Sequence, residues 1–243
     1  MAFVIDPPAI PSLPILGSDQ RFPLRRVFCV GRNFADHAAE MGAEVDRQAP
    51  FYFTKSCHHV RLATGRIPMA QGTRAYHHEI ELVVAVGKAG QNIPVAEALS
   101  HVFGYAPGLD MTRRDLQTVA KDKRRPWDVA KDAEASALVA HLCPVYPTAE
   151  YPTADCAHPQ AGAIQLRVNG TLRQDSDLSH MVWSVPEVIA DLSQLYKLQA
   201  GDLIFMGTPA GVGPVQPGDT LQGTIDGLSP FDVTFCCGAT NTT

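Results

Sequence analysis

Two carboxylates separated by one residue are the most distinctive chemical feature of the sequence. Glu79 and Glu81 introduce an apolar stretch that continues to Val86, and side chains at positions i and i+2 of a strand project from the same face. Two neighbouring acids repel each other, and a hard divalent cation such as Mg²⁺, Mn²⁺ or Ca²⁺ would neutralise them. The alternative is an exposed edge strand whose charges discourage aggregation.

A third carboxylate, Asp110, follows an apolar run and precedes a polar segment that favours a helix. Asp110 could end a strand and point into a cleft, where it would join the two glutamates. It could also cap the helix that follows, and spacing alone favours the cap.

His37 and Glu40 are spaced i and i+3 on a short predicted helix over residues 34–41, with Asn33 as its N-cap and Gly42 as its stop. A carboxylate at this distance could orient the imidazole and strengthen it as a base toward water. An ordinary surface pair is the alternative that spacing alone favours.

Lys131 and a glycine-rich turn could each bind a negatively charged group. Lys131 follows an aromatic and apolar segment and could stabilise a developing oxyanion, although most lysines are simply solvated. The turn over residues 207–213 offers backbone amides to an anionic group. It lacks the Gly-Lys-Ser/Thr of a nucleotide-binding loop, which excludes ATP binding of that type.

The elements that must hold these residues are mostly short strands. An Asn-Gly pair at 169–170 with alternating flanks predicts a hairpin over 164–173. Few segments favour a helix, which indicates a β-rich α+β domain. The remaining predicted strands are 26–30, 51–53, 80–86, 202–206, 219–225 and 231–235, and the remaining predicted helices are 95–102 and 186–196.

Composition fits a soluble globular protein, which we expect in the cytoplasm. The 243 residues are 45% hydrophobic and 19% charged, typical of one domain, and we expect a proline-rich arm over 1–24 and a catalytic domain over 25–243. The net charge is −5 and the only dense basic run is Lys121–Arg125, so we expect no nucleic-acid partner. No apolar stretch approaches the length of a membrane helix, the first residues do not form a secretory signal, and the six cysteines lack a framework spacing and are expected to be reduced.

Taken together, these motifs resemble the fumarylacetoacetate hydrolase family from about Val27 to Val233, in the same order and at similar intervals. Within that family the chain is most similar to bacterial fumarylpyruvate hydrolases and acylpyruvases. The segments that carry the resemblance are 29–37, 78–82, 104–105, 109–117, 126–127, 130–131, 168–170, 173–174, 201–202 and 207–213.

The resemblance implies a fold like the family's C-terminal domain, with mixed β-sheets and a few short helices, and a homodimer. It implies that Glu79, Glu81 and Asp110 bind one Mg²⁺ or Mn²⁺. His37 and Glu40 would activate the attacking water from a lid helix, and Lys131 would stabilise the oxyanion. The pyruvate end of the substrate would be held by Arg114, Gln117 and Thr208, and its distal carboxylate by Arg32 or by the His58-His59 loop.

Hydrolysis of a carbon–carbon bond in an acylpyruvate, with fumarylpyruvate as substrate, is therefore the leading hypothesis. A decarboxylase or isomerase acting on oxaloacetate or a related 2-oxo diacid is the second, and a silent binding protein without turnover is the third. Segments 55–59 and 131–133 depart from the family pattern near the expected site, which motivates the third hypothesis.

Overall fold

The structure is a computed structural model that describes residues 3–42, 47–145 and 157–237. Strands dominate these residues, and the helices are short. The strands are β1 Ser12–Pro14, β2 Arg21–Pro23, β3 Val27–Gly31, β4 Phe51–Lys55, β5 Val60–Leu62, β6 Thr64–Pro68, β7 Tyr76–His78, β8 Ile80–Val86, β9 Val102–Asp110, β10 Thr112–Arg113, β11 Ala137–Val139, β12 Cys143–Pro144, β13 Ala163–Val168, β14 Thr171–Asp177, β15 Leu203–Phe205, β16 Gly213–Pro214, β17 Thr220–Ile225 and β18 Phe231–Cys236.

Four α-helices and three 3₁₀-helices accompany the strands in the described part of the chain. The α-helices are α1 Ala35–Glu40, α2 Arg114–Asp122, α3 Asp128–Lys131 and α4 Val185–Leu195, and the 3₁₀-helices are Cys57–His59, Val95–His101 and Leu178–His180. This is the β-rich α+β fold that the sequence predicts.

Two mixed sheets form the body of the molecule. The larger has the order β4-β3-β15-β8-β9-β11-β5, with β12 added beside β9, and the second has the order β14-β13-β17-β18-β6. β13 contacts β8 and β17 contacts β9, so the sheets pack face to face around a shared apolar core. A small third sheet, β10-β7-β16, lies beside the start of β8.

Strand β8 lies at the centre of the larger sheet. Every residue from Ile80 to Val86 is buried, and the strand pairs antiparallel with β15 on one side and β9 on the other. A strand covered on both faces has a nearly continuous apolar sequence, and the predicted strand over these residues is confirmed. Because β8 pairs with a strand along each edge, Glu81 does not lie on an exposed edge strand, and that alternative is wrong.

The N-terminal residues contribute to the same core. β1 and β2 form an antiparallel pair, and Leu13, Ile15, Phe22 and Leu24 are buried in the core cluster. The division of the chain at residue 24 into an arm and a catalytic domain stays a prediction.

Local sequence signals locate two other elements correctly. The Asn169-Gly170 pair has positive φ at both residues, 51° and 78°, as a two-residue hairpin turn requires, and it joins β13 to β14. α4 has Pro186 in its first turn, where the missing amide hydrogen is not needed.

Three expectations from the sequence need correction. The predicted helix over 95–102 is a 3₁₀-helix over Val95–His101. Asn33 does not cap α1, whose N-cap is Phe34, because its buried amide binds other segments instead. Cys143 is disulfide-bonded, so the cysteines are not all reduced.

No helix in the described ranges is both long enough and apolar enough to cross a membrane.

Candidate metal and substrate site

The three carboxylates meet where β8 and β9 run side by side. Glu81 is paired in register with Gly108, and the Asp110 amide donates to the Glu79 carbonyl at 2.9 Å, so Glu79 lies opposite Asp110. One ligand oxygen from each of the three carboxylates lies within 4.8 Å of the others. Glu79 is only 4% exposed, Glu81 2% and Asp110 0%. Asp110 thus ends a strand, and the helix-capping alternative is wrong, since α2 begins at Arg114.

Buried cations balance two of these carboxylates. The Lys131 ammonium lies 2.7 Å from Glu79 Oε2 and 2.7 Å from Asp110 Oδ2, and Arg114 binds the other Glu79 oxygen. Burial raises the pKa of Glu79, but the charges of Lys131 and Arg114 outweigh it and hold that pKa well below its usual range. Burial lowers the pKa of Lys131, and the charges of Asp110 and Glu79 outweigh that effect and raise it.

Lys55 supplies a third buried cation. Its ammonium donates to the backbone carbonyls of Met111 and Lys131 and to the Ser136 hydroxyl. It also lies 2.7 Å from Asp110 Oδ1, although that oxygen accepts no directed hydrogen bond. Asp110 Oδ1 therefore keeps lone pairs for another ligand, and Lys55 fixes the segment that carries Lys131.

Glu81 differs from its two partners because no described lysine or arginine forms an ion pair with it. Its carboxylate accepts a hydrogen bond from the Gly207 amide at 2.7 Å. Burial, followed by the negative charges of Asp110 and Glu79, raises the pKa of Glu81 well above its usual range. Three converging buried carboxylates, one of them without a cation, suit a hard divalent ion with oxygen ligands. The residues present therefore fit Mg²⁺ or Mn²⁺.

Gly207 is needed at this position. Its φ is +89°, and a Cβ there would lie 2.7 Å from the Asn33 Cβ. The Asn33 side chain donates to the Met206 and Trp183 carbonyls and accepts from the Trp183 amide. Asn33 therefore holds the turn after β15 against the start of α1.

The His37–Glu40 pair lies over the carboxylate cluster. His37 Nδ1 lies 3.3 Å from a Glu40 oxygen, with the His37 side chain 11% exposed. The Gly211 amide donates to both Glu40 oxygens at 3.2 Å, which attaches α1 to the glycine-rich turn. Burial lowers the pKa of His37, and the charge of Glu79 and the bond to Glu40 oppose this. The net effect lowers the pKa of His37 below its ordinary value of 6.5, which favours the neutral imidazole at pH 7.

One cavity brings together most of the residues predicted from the sequence. Eight of the ten predicted site residues line it: Arg32, His37, Glu79, Glu81, Arg114, Gln117, Lys131 and Thr208. Glu40 and Asp110 complete the set through their contacts with His37 and with Lys131. The His58-His59 loop is not among the lining residues, and His59 instead contacts Asp132 at 2.6 Å.

Gln174 is a supporting residue whose role the sequence left unassigned. Its amide nitrogen donates to the Thr208 hydroxyl at 2.8 Å and to the Pro209 carbonyl at 2.9 Å. Its oxygen accepts from the Ile80 amide at 3.0 Å. It therefore holds the turn at Thr208 against the first residue of β8, and its place in segment 173–174, which carries the family resemblance beside the Asn-Gly turn, was the signal for it.

Lys121 also lines the cavity, although the basic run that contains it carried no site residue in the sequence interpretation. The usable signal was its position seven residues after Arg114 and four after Gln117, which places all three on one face of a helix.

The two segments that depart from the family pattern contact each other. Asp132 Oδ1 accepts from the Ser56 amide at 2.8 Å and lies 2.6 Å from His59 Nδ1. Each segment begins with a lysine of the site, Lys55 or Lys131. The two segments that depart from the family pattern therefore contact each other. Lys55 and Lys131 both lie 2.7 Å from an oxygen of Asp110.

The family profile described as fumarylacetoacetate (FAA) hydrolase C-terminal matches residues 26–235. The chain belongs to the fumarylacetoacetate hydrolase family. A fumarylpyruvate hydrolase from Ralstonia sp is 42% identical over 196 residues, which cover 80% of this chain and 97% of that protein. Oxaloacetate tautomerase FAHD1 from Mus musculus is 41% identical over 204 residues, covering 84% and 88%.

A crystal structure from the same family shows that the similarity extends to the fold. Fumarylpyruvate hydrolase from Pseudomonas aeruginosa, in complex with Mn²⁺ and pyruvate, superposes with a TM-score of 0.91 at 44% identity, covering 97% of this chain and 100% of that one. The fold expected from the family resemblance is thus confirmed.

Proposed function

We propose that this member of the fumarylacetoacetate hydrolase family hydrolyses a carbon–carbon bond in an acylpyruvate, with fumarylpyruvate as substrate and fumarate and pyruvate as products. The observation that carries the proposal is the buried His37, which lines the same cavity as Glu79 and Glu81 and lies 3.3 Å from the Glu40 carboxylate. Hydrolysis needs an activated water, and a neutral imidazole oriented by a carboxylate supplies the base for it.

The relatives support the metal and the substrate class. The Pseudomonas aeruginosa hydrolase was crystallised with Mn²⁺ and pyruvate, and we propose that Glu79, Glu81 and Asp110 hold one Mg²⁺ or Mn²⁺ in this chain. When bound, the cation supplies Lewis-acid polarisation of the 2-oxo acid.

The chain's own residues then have separate roles in this proposal. His37 takes a proton from water as the oxygen adds to the acyl carbonyl, and Lys131 stabilises the oxyanion that forms there. Breaking the carbon–carbon bond leaves its electron pair on the methylene carbon, which gains one proton and becomes the methyl group of pyruvate. Arg114, Gln117 and Thr208 hold the pyruvate end.

A test follows fumarylpyruvate by its absorbance and assays released pyruvate, with Mg²⁺ or Mn²⁺ and then with excess EDTA. We expect turnover that depends on the metal, and His37→Ala should lower it by about 10²-fold or more. His58→Ala is the matched control, because His58 is exposed and does not line the cavity. Pyruvate release that persists in EDTA would contradict the metal assignment.

Oxaloacetate tautomerisation or decarboxylation is the second candidate, because the 41% identical mouse relative carries the former activity in its name. Its chemistry needs no activated water. Consumption of oxaloacetate that survives His37→Ala, without fumarylpyruvate turnover, would favour this candidate. Mn²⁺ binding without turnover of either compound would favour a silent binding protein. The homodimer stays a prediction, which light scattering of the eluted protein would test.

A further inference from the structure

We propose that Lys121 binds the distal carboxylate of the substrate and so selects acylpyruvates that carry a second acid group. This inference rests on the proposed function, since it assigns the far end of the same substrate.

The spacing of three residues on α2 supports this role. Arg114, Gln117 and Lys121 lie at positions i, i+3 and i+7 and all line the cavity. Arg114 touches Glu79 and donates to the side-chain Oε1 of Gln117 at 2.6 Å, so this end of the row lies at the carboxylate cluster. Seven residues of helix rise by about 10 Å, which places Lys121 at the outer end of the row.

The dimensions of a diacid match this row. In extended fumarylpyruvate the 2-oxo carbon and the distal carboxylate carbon lie about 6 Å apart, by ordinary carbon–carbon bond lengths. The metal–oxygen distance at one end and a hydrogen bond at the other add about 2 and 3 Å. A diacid that begins at the carboxylate cluster therefore ends within reach of an ammonium group near the outer end of α2.

The cavity adjoins a second cleft at Trp127, the residue that Lys121 contacts. Its enclosed part holds only about 40 Å³, which accommodates little more than water. It shares Gly31, Arg32 and Trp127 with an adjoining cleft of about 330 Å³. The Lys121 ammonium lies 5.3 Å from the centre of the Trp127 ring, close enough for a cation–π contact. Lys121 is thus held at the junction that the acyl end of a substrate must occupy.

The charge environment of Lys121 favours an anion. No carboxylate in the described ranges forms an ion pair with it. Burial lowers its pKa first, and the positive charges of Arg114 and Arg32 lower it further. A carboxylate bound between these cations would relieve their repulsion.

Arg32 lines the cavity as well, but Lys121 is the better partner for the distal acid. Arg32 is exposed, whereas Lys121 is half-buried, and solvent and salt screen an exposed charge more strongly. Lys121 also lies on the same helix as Arg114 and Gln117, which are proposed to hold the pyruvate end. One helix would therefore bind both ends of the substrate at a fixed separation.

The test uses isothermal titration calorimetry of the Mn²⁺-loaded protein with two 2-oxo acids that lack the cleavable bond. 2-Oxoheptanedioate carries the distal carboxylate, and 2-oxoheptanoate ends in a methyl group at the same position. We expect the wild type to bind the diacid about 10- to 100-fold more tightly, as a charge-assisted hydrogen bond gives. Lys121→Met should abolish this preference and leave binding of the monoacid within about twofold, and Lys121→Arg should retain most of it.

Lys123→Met is the matched control, because it removes the same charge from an exposed position next to the same helix, and it should leave the preference unchanged. A preference that survives Lys121→Met, or that disappears in Arg32→Met instead, would overturn the assignment to Lys121. Equal binding of both acids by the wild type would also overturn it while leaving the proposed function intact. Absence of binding by either acid would contradict the proposed function itself.

Discussion

Glu81 is the carboxyl group of the site that forms no ion pair with a described lysine or arginine, and its pKa is raised well above its usual range. Lys131, Arg114 and Lys55 all contact Glu79 or Asp110, whereas among the described residues the hydrogen-bond partner of Glu81 is the Gly207 amide. A buried carboxylate between two others destabilises the metal-free protein. The same arrangement makes Glu81 the carboxylate that gains most from a cation.

Glu81→Gln should therefore separate folding from metal binding. Burial and the neighbouring acids raise the pKa of Glu81 and favour its neutral form, which glutamine imitates, so we expect the Tm of the metal-free protein to stay the same or rise. Mn²⁺ at about 100 times its Kd should stabilise the wild type by about 2.7 kcal/mol, and this increment should largely disappear in the variant. Thermal melts with and without Mn²⁺ measure both effects.

Glu97→Gln is the control for that experiment, because Glu97 is exposed and distant from the cluster. An undiminished Mn²⁺ increment in Glu81→Gln would show that Glu81 is not a ligand.

The acid side of the pH profile should report His37. Burial lowers the pKa of His37 from its ordinary value of 6.5, so the neutral base persists into mildly acidic solution. We expect kcat/KM to fall only as the pH drops through this lowered pKa. Measuring kcat/KM from about pH 5 to 8 locates the decline.

Glu40→Gln should move that decline to lower pH. The Glu40 carboxylate raises the pKa of His37, and its removal leaves the effect of burial less opposed. The plateau should fall too, because the imidazole loses its orienting partner. A decline that moves to higher pH would contradict the assignment of His37 as the base.

The start of α4 depends on a short-range contact that can be tested alone. The Glu187 carboxylate accepts from the Ser184 amide at 2.8 Å and from the Ser184 hydroxyl at 2.7 Å. We expect Glu187→Ala to lower the free energy of unfolding by about 1 kcal/mol, which corresponds to about 2–4 °C in Tm for a chain of this size. Thermal melts near pH 7 measure the loss.

This loss should depend on pH in a definite direction. Burial raises the pKa of Glu187, but the bonds from Ser184 and Arg47 outweigh it and lower the pKa below its ordinary value of 4.5. The stabilisation is thus present above that value and fades as the pH falls through the lowered pKa. Gln194→Ala, an exposed change on the same helix, should have little effect at either pH. A Glu187→Ala deficit that stays constant into acid would contradict the carboxylate's role.

Elements fixed by local signals were predictable from the sequence. α4 has a proline in its first turn, the β13–β14 hairpin has an Asn-Gly turn, and β8 is nearly continuously apolar. The apolar run of β8 is interrupted only by Glu81, and each of these signals acts within a few residues of the element that it locates. The convergence of the ten candidate site residues was expected from the resemblance to a family, and spacing alone favoured other roles for Asp110 and for the His37–Glu40 pair.

Roles set by distant partners were not predictable in this way. Asn33 has the sequence features of an N-cap, but its amide binds the Trp183 backbone, 150 positions away. The residues from Val95 to His101 have helical periodicity and nevertheless form a 3₁₀-helix, which packs against α4. Tertiary contacts decide such cases, and a single sequence does not reveal them.

The apolar core joins both large sheets and the N-terminal hairpin. Phe22 of β2 is 6% exposed and stacks on Phe103 of β9 at 4.9 Å between ring centres. We expect Phe22→Ala to cost about 3–5 kcal/mol. Urea unfolding monitored by far-UV circular dichroism and by fluorescence of Trp127 and Trp183 should show one coincident transition at a lower midpoint.

Two separated transitions, or an unchanged fluorescence midpoint in Phe22→Ala, would show that the first 24 residues fold independently of the rest. Leu16→Ala is a suitable control, since this neighbouring side chain is 44% exposed and should contribute little.

The order of strands in the larger sheet also determines when the site can form during synthesis. β3, which leads into the helix with His37, is separated from β8 by β15, and β15 spans residues 203–205. A nascent chain that has left the ribosome as far as Asp110 already contains all three carboxylates and both members of the His37–Glu40 pair. It cannot bring them into register, because the strand that lies between them has not been translated. Folding must therefore wait for contacts that are distant in sequence, and His37 meets the carboxylate cluster only after residues 203–205 have been translated.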